Sequence, residues 1–190
     1  DDGKLGSGVY TTSVPVYAET FGFSQPALMP LYLSAKNPYY IELGDFPTRM
    51  KGDNLALTDD AFNALETQMK EAATKLSGKR LMDLEGSQVR KMFEKAGYDS
   101  IIARDSYGNI IEALAFKPEQ VKSATGNVGT YDPTNPDIRY SLRAPDTKEF
   151  KQWFGSSKVV DEGGEPLAVY HGSRKFKGNK FKSDVKRVNR

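Results

Sequence analysis

The chain has 190 residues, with 27 Lys and Arg against 25 Asp and Glu, a formal net charge of +2, one histidine and no cysteine. The missing cysteines exclude disulfides, thiolate metal sites and thiol nucleophiles, and with a single histidine they argue against a structural zinc site. A net charge this small does not by itself imply a nucleic-acid partner, and no apolar run approaches the roughly 20 residues of a membrane helix.

Length and the 38% hydrophobic content, including ten Phe and ten Tyr, suit one domain with an appendage. No charged-then-apolar leader pattern heads the chain, and the start at Asp1 suggests a processed or excised piece. In chain order, "KLGSG" reads as flexible, "VYTT" as a strand and "VPVYAETFGF" as a short helix beginning after Pro15. "ALMPLYLSA" is a strand whose Pro30 suits an edge or a bulge, and "NPYYIEL" is a second extended segment. Thr58 or Asp59 then caps a helix with Phe62, Leu65, Met69 and Ala72 or Ala73 at helical spacing, ending near Ser77 and Gly78. A second helix runs from about Glu85 to Ala96, with Val89, Met92 and Phe93 on one side and Gly97 as its stop. "YDSIIA" and "IIEALAF" are strands separated by the turn-rich "RDSYGN", and Pro118 stops the second. Residues 123–139 read as a surface loop, "TKEFKQWFG" as a short helix, "DEGGEP" as a tight turn and "LAVYHGS" as a strand. Strands and helices mix without regular alternation, so the fold class is α+β. From Arg174 to Arg190 there are eight Lys or Arg and one Asp, a solvated tail or a surface for an anionic partner.

Three stretches carry chemistry. In "VYHGS" the only histidine, His171, ends an apolar strand beside Gly172, where the absent Cβ lets a ligand approach the backbone. In "GSGVYTT" the glycines leave room for a flat ligand against the Tyr10 ring. In "GNIIEALAF" Glu112 lies within an apolar strand and shares a face, by parity, with Ile110, Leu114 and Phe116. A carboxylate there is costly to bury unless it is partnered or lies in a cleft. Each stretch also has an ordinary structural explanation: a satisfied histidine, a core tyrosine, a salt-bridged glutamate.

Together they form a pattern: "YHGS", "G-x-Y-x-T" with an aromatic eleven residues beyond Tyr10 at Phe21, and "E-x-x-x-F-x-P-x-Q-V-K". This resembles ADP-ribosyltransferases of the H-Y-E type, the branch shared by diphtheria toxin and the poly(ADP-ribose) polymerases. "PLYLSAKNPYYIE", "AGYDSIIARD", "FKPEQVKSATGNVGTYDPTNPDIRYSL" and "FKQWFGSSKVVDEGGEPLAVYHGS" are similar to stretches of the modules found in phage and mobile-element polyvalent proteins. The resemblance implies a split β-sandwich with flanking helices. The family order is His strand, Tyr strand, Glu strand, whereas here Tyr10 and Glu112 precede His171. The expectation is a circularly permuted domain, a strand swapped between two chains of a homodimer, or a window across tandem modules. The corresponding division is a body over 1–142, a short helix and linker over 143–160, and a His-bearing strand with the basic tail over 161–190.

The resemblance also implies roles. The substrate is NAD+, no metal is needed, and ADP-ribose passes to a macromolecular acceptor, expected to be a protein. Glu112 is the expected catalytic residue, bonding the nicotinamide ribose and stabilising developing positive charge. His171 is expected to bond the adenosine ribose and the Gly172 backbone to hold the nicotinamide amide. Ser173 and Thr11 belong to the same contacting set. Tyr10 stacks on nicotinamide, a role that leaves its hydroxyl dispensable, and Phe21 stands where relatives often have a second stacking tyrosine. Arg104, Asp105, Tyr107 and Ile110 form the expected acceptor loop. Ile110 stands where arginine-modifying relatives carry Glu or Gln, which argues against an arginine acceptor. The implied setting is the cytoplasm of a bacterial or phage-infected cell. Two other classes fit the sequence: a weak or inactive module of the same fold that binds NAD+, ADP-ribose or a partner, and a nucleic-acid-directed module led by the basic tail.

Overall fold

The computed structural model describes residues 2–3, 5–21, 27–52, 54–125, 134, 137–138, 147–173 and 181. Most of the loop over 123–139 and, apart from Phe181, the basic tail from Arg174 lie outside the described residues. In chain order the elements are β1 (Asp2–Gly3), β2 (Gly6–Ser7), β3 (Val9–Thr11), α1 (Pro15–Glu19), β4 (Ala27–Leu33), β5 (Pro38–Glu42), β6 (Thr48–Lys51) and β7 (Asn54–Leu57). They continue with α2 (Asp59–Ser77), α3 (Gly86–Lys95), β8 (Ser100–Arg104), β9 (Ile110–Ala115), β10 (Val121–Ser123), α4 (Lys148–Phe154) and β11 (Val169–Ser173). The fold is α+β.

Local chemistry explains the helices. The Thr58 hydroxyl accepts from the Ala61 N–H, Asp59 and Asp60 sit at the positive end of α2, and Gly78 closes it at φ 69°. A reciprocal Glu85–Gln88 capping box opens α3. Pro15 is the first residue of α1, where its missing N–H costs nothing, so that helix begins at the proline and not after it.

Two sheets make the body, β3-β9-β8-β5 and β10-β4-β11. The first buries one face beneath α2 and α3, where Ile41, Ile101, Leu114 and Phe116 meet Leu65, Met69, Val89 and Phe93. Its other face meets the second sheet: Val9, Ile102, Ala113 and Ala115 pack with Leu31, Leu33, Val121 and Val169. Behind the second sheet, Phe150, Trp153 and Phe154 of α4 cover Tyr32. This layering is a β-sandwich flanked by helices. No helix among the described residues is long and apolar enough to cross a membrane.

Four sequence expectations need correction. Leu5 is fully buried and β2 follows it, so the start is ordered and not a flexible lead-in. β4, with its Pro30, is the middle strand of three and not an edge. The proline is tolerated because Tyr170, opposite it, directs its own N–H and C=O away to Thr12, just past β3, and Pro30 turns its backbone to the other side, beyond the end of β10, where its carbonyl accepts from the Ala124 N–H. Pro30 therefore faces a pair that needs no ladder bond. The parity of β9 breaks at its start: Ala103 pairs with Glu112 and Arg104 with Ile110, leaving Ile111 as the extra residue of a bulge. Ile110 consequently enters the core between the sheets, while Ile111 packs on the helical side. Finally, "PLAVYHGS" is apolar on both faces, which predicts an interior strand paired into the sheet bearing Tyr10 and Glu112; β11 adds instead to β4 and, among the described residues, meets that sheet at the bridge Thr12–Tyr170.

Candidate active site

Glu112 is held by three neighbours. β8 sets Ala103 opposite it, and the bulge at Ile111 fixes its direction. The start of β9 is clamped to the end of β3: the Thr12 and Ser13 hydroxyls both donate to the Ile110 carbonyl, at 3.0 and 3.1 Å, and the Ile110 N–H donates back to the Ser13 hydroxyl at 2.9 Å. From α1, the Tyr17 hydroxyl donates to Glu112 Oε1 at 2.9 Å. Among the described residues Tyr17 is the only hydrogen-bond partner of this carboxylate. Burial raises the Glu112 carboxyl above its ordinary value, and the Tyr17 hydrogen bond partly opposes this. Burial, and secondarily the Glu112 charge, raises the Tyr17 phenol, so its hydroxyl remains a donor.

His171 lies on β11 opposite Met29 of β4. Its Nδ1 is 2.8 Å from the Tyr10 carbonyl, across the seam between the sheets. A carbonyl only accepts, so Nδ1 carries the proton in this contact. Burial pushes the imidazole below its ordinary value, which keeps the ring neutral and leaves Nε2 as an acceptor. The Phe181 ring stands edge-on to it, centroids 4.9 Å apart.

The glycines serve the protein more than a ligand. A Cβ on Gly172 would fall 1.7 Å from the Ala18 carbonyl of α1, and one on Gly8 would fall 2.3 Å from the Ala115 carbonyl. The room expected for a ligand beside Gly172 and before Tyr10 is thus filled by backbone. The Tyr10 hydroxyl is not idle either: it donates to the Gly6 carbonyl at 2.8 Å and accepts from the Leu5 N–H at 3.1 Å. The ring is half-buried against the helical core. Phe21 is 51% exposed, with its ring edge-on to Tyr17 at 5.3 Å. Thr11 Oγ1 and Ser173 Oγ are buried hydroxyl oxygens with no hydrogen-bond partner among the described residues. They lie on the two strands that meet at the seam.

Of the four residues expected to face the acceptor, Tyr107 and, in part, Arg104 are exposed, while Asp105 and Ile110 are buried. Arg104 is engaged by Glu42 at 2.7 Å and lies over the Tyr40 ring. Asp105 is buried, its carboxylate accepting from the Tyr107 and Asn109 N–H groups and the Asn109 amide. Ile110 is in the core. Tyr107 is 62% exposed and pairs with Phe46, itself 75% exposed and held at φ 48°.

The residue missed by sequence reasoning is Tyr17. It sits 95 positions from Glu112, and only the helical spacing with Phe21 hinted that both face the same side. A groove of about 1070 Å³ lined by Tyr98, Phe116, Lys117 and Trp153 shares no residue with this constellation. Among the described residues no group of three or more acidic, His or Cys side chains could hold a metal ion.

Helix α1 thus links a half-buried, singly anchored carboxylate on β9 to β11, the strand that carries a neutral imidazole, and Phe21 and Tyr10 present exposed and half-buried rings. Comparison with known proteins matches residues 1–131 to the family described as ADP-ribosyltransferase in polyvalent proteins. No curated protein and no solved structure matches.

Proposed function

The chain belongs to the family of ADP-ribosyltransferases in polyvalent proteins, and from that premise we propose that it cleaves NAD+ and transfers a single ADP-ribose to a macromolecular acceptor, a protein. The observation that carries this reading is Glu112, a half-buried carboxylate on a core strand with one oxygen bound by Tyr17 and the other without a partner among the described residues. The donor set suits a dinucleotide. His171 Nε2 can accept from a ribose hydroxyl, while Thr11 Oγ1 and Ser173 Oγ are enclosed by protein and do not reach a ligand in this arrangement. Phe21 and the half-buried Tyr10 offer rings for stacking. The Gly172 backbone holds the carboxamide through its N–H and C=O; its missing Cβ serves the fit to α1.

NAD+ supplies a nicotinamide–ribose bond whose breaking develops positive charge on the sugar, as in glycoside cleavage. Glu112 stabilises that charge and orients the incoming acceptor group. The neutral His171 fixes the ribose by accepting a hydrogen bond, with its tautomer set by the Tyr10 carbonyl. Tyr107, with Phe46 beside it, faces the acceptor.

The test is incubation of the protein with labelled NAD+ and a cell lysate, followed by mass spectrometry of the labelled products. The expected result is nicotinamide release with mono-ADP-ribosylated protein. NAD+ left intact refutes the transferase reading and leaves a binding module of the same fold.

A further inference from the structure

α1 is only five residues long, yet it touches both strands of the site at consecutive positions. Tyr17 bonds Glu112 on β9, and the Ala18 carbonyl fills the space where Gly172 on β11 lacks a Cβ. One turn on, Phe21 meets the Tyr17 ring. The start of the helix is tied to β3, because the Val14 N–H donates to the Thr12 hydroxyl. The helix cannot slide or turn without striking β11, so the Tyr17 hydroxyl is delivered to a fixed point.

We propose that Tyr17 is the positioning residue of Glu112: by donating to Oε1 it immobilises the carboxylate and makes Oε2 the oxygen that meets the nicotinamide ribose. This rests on the transferase reading above. A phenylalanine would fill the same core space, since Tyr17 is 5% exposed and packs with Leu5, Ile41 and Leu114. Packing therefore accounts for the ring and leaves the hydroxyl unexplained, while its one hydrogen bond goes to the catalytic carboxylate. The other surroundings of Glu112 supply no competing charge among the described residues. Ala103 faces it from β8, the charge of the next residue, Arg104, is taken by Glu42, and from β3 the Thr12 and Ser13 hydroxyls go to Ile110. A phenol that stays protonated holds the carboxylate in one rotamer across the working pH range and favours its ionised form against the burial that opposes it.

The experiment is Tyr17→Phe, alone and combined with Glu112→Gln, read by NAD+ consumption against pH and by carbon-13 NMR titration of the Glu112 carboxyl in labelled protein. The expected result is a kcat lowered by about tenfold to a hundredfold, the size of one hydrogen bond to a charged group, with KM for NAD+ little changed. The acid limb of the kcat profile and the NMR midpoint of Glu112 should both move to higher pH, because the lost donor favoured the ionised form. In the Glu112→Gln background Tyr17→Phe should add no further loss. A residue that matters only for packing would lower thermal stability and leave both midpoints in place, and that outcome overturns the proposal. Should Tyr17→Phe fold poorly, Tyr17→Met serves instead: it fills the space with a flexible apolar side chain that has no donor, and a Glu112 midpoint at the wild-type value again overturns the assignment. Wild-type protein that leaves NAD+ intact refutes the transferase reading, and the Glu112 titration then decides the Tyr17 tie by itself.

Discussion

Glu112 and His171 are both half-buried, and the loss of water moves their proton affinities in opposite directions with opposite consequences for stability. The carboxyl of Glu112 is raised above its ordinary value, so the folded chain holds a proton there more tightly than the unfolded chain. Its contribution to stability is full below the unfolded value and is lost as pH rises through the folded one. Glu112→Gln should therefore melt no lower than wild type at neutral pH while NAD+ cleavage falls by about tenfold to a thousandfold. Wild-type turnover in that variant would remove Glu112 from the mechanism. His171 is depressed by burial, so its contribution is complete above the ordinary histidine value and is lost as pH falls through the folded value. Denaturant midpoints between about pH 7 and about pH 5 should decline for the wild type and decline less for His171→Gln. An equal decline in both would place the responsible group elsewhere. Tyr10 is a third case. Stacking alone would make its hydroxyl dispensable, but bonds to Gly6 and Leu5 give that hydroxyl a structural task.

Among the elements, α1 is short but joins β9 and β11, the strands that bear Glu112 and His171, and its fit against β11 is close. A methyl group at Gly172 would meet the Ala18 carbonyl at 1.7 Å, and a backbone carbonyl cannot move aside by changing rotamer. Gly172→Ala should lower stability by at least about 1 to 3 kcal/mol, as overpacking does, and weaken NAD+ binding because α1 and β11 must separate. An alanine variant with wild-type melting and binding would show that α1 yields freely. Elements of this kind were unevenly legible in the sequence. α2 and α3 announce themselves because Leu65, Met69 and Ala72, or Val89, Met92 and Phe93, repeat at the helical period with caps at the expected places. The hairpin β6–β7 escaped because Thr48–Lys51 is nearly all exposed and has no buried alternation to betray it. Pro30 misled because its tolerance depends on where Tyr170 directs its backbone, a fact of register and not of local sequence. Glu112 was legible as an anomaly in an apolar strand, whereas Tyr17 looked like any core aromatic until the fold brought it to that carboxylate.

At the scale of the molecule, the question is why the only histidine comes so late in the chain. The matched family covers residues 1–131, and the histidine lies beyond it. Its strand is nonetheless part of the same structure. β11 pairs with β4 over five residues, bridges to Thr12, and buries Val169 completely among Leu31, Leu33 and Ile102. Without it, β4 would become an edge strand and the core between the sheets would open. Deletion of residues 161–190 should therefore lower the stability of the whole domain by at least about 3 kcal/mol, the scale of a large core truncation, and abolish NAD+ binding. The strand packs here within one chain, so a second expectation separates this arrangement from an exchange between two chains. The melting midpoint of the full-length protein should be independent of protein concentration, since a unimolecular fold has no mass-action term, whereas a swapped dimer loses stability on dilution. A midpoint that falls with dilution, together with dimer mass in sedimentation, would move β11 to a neighbouring copy. A truncated protein that melts like the full-length one and still binds NAD+ would assign the strand to a second, incomplete module, and His171 would then have no part in the site that Glu112 serves.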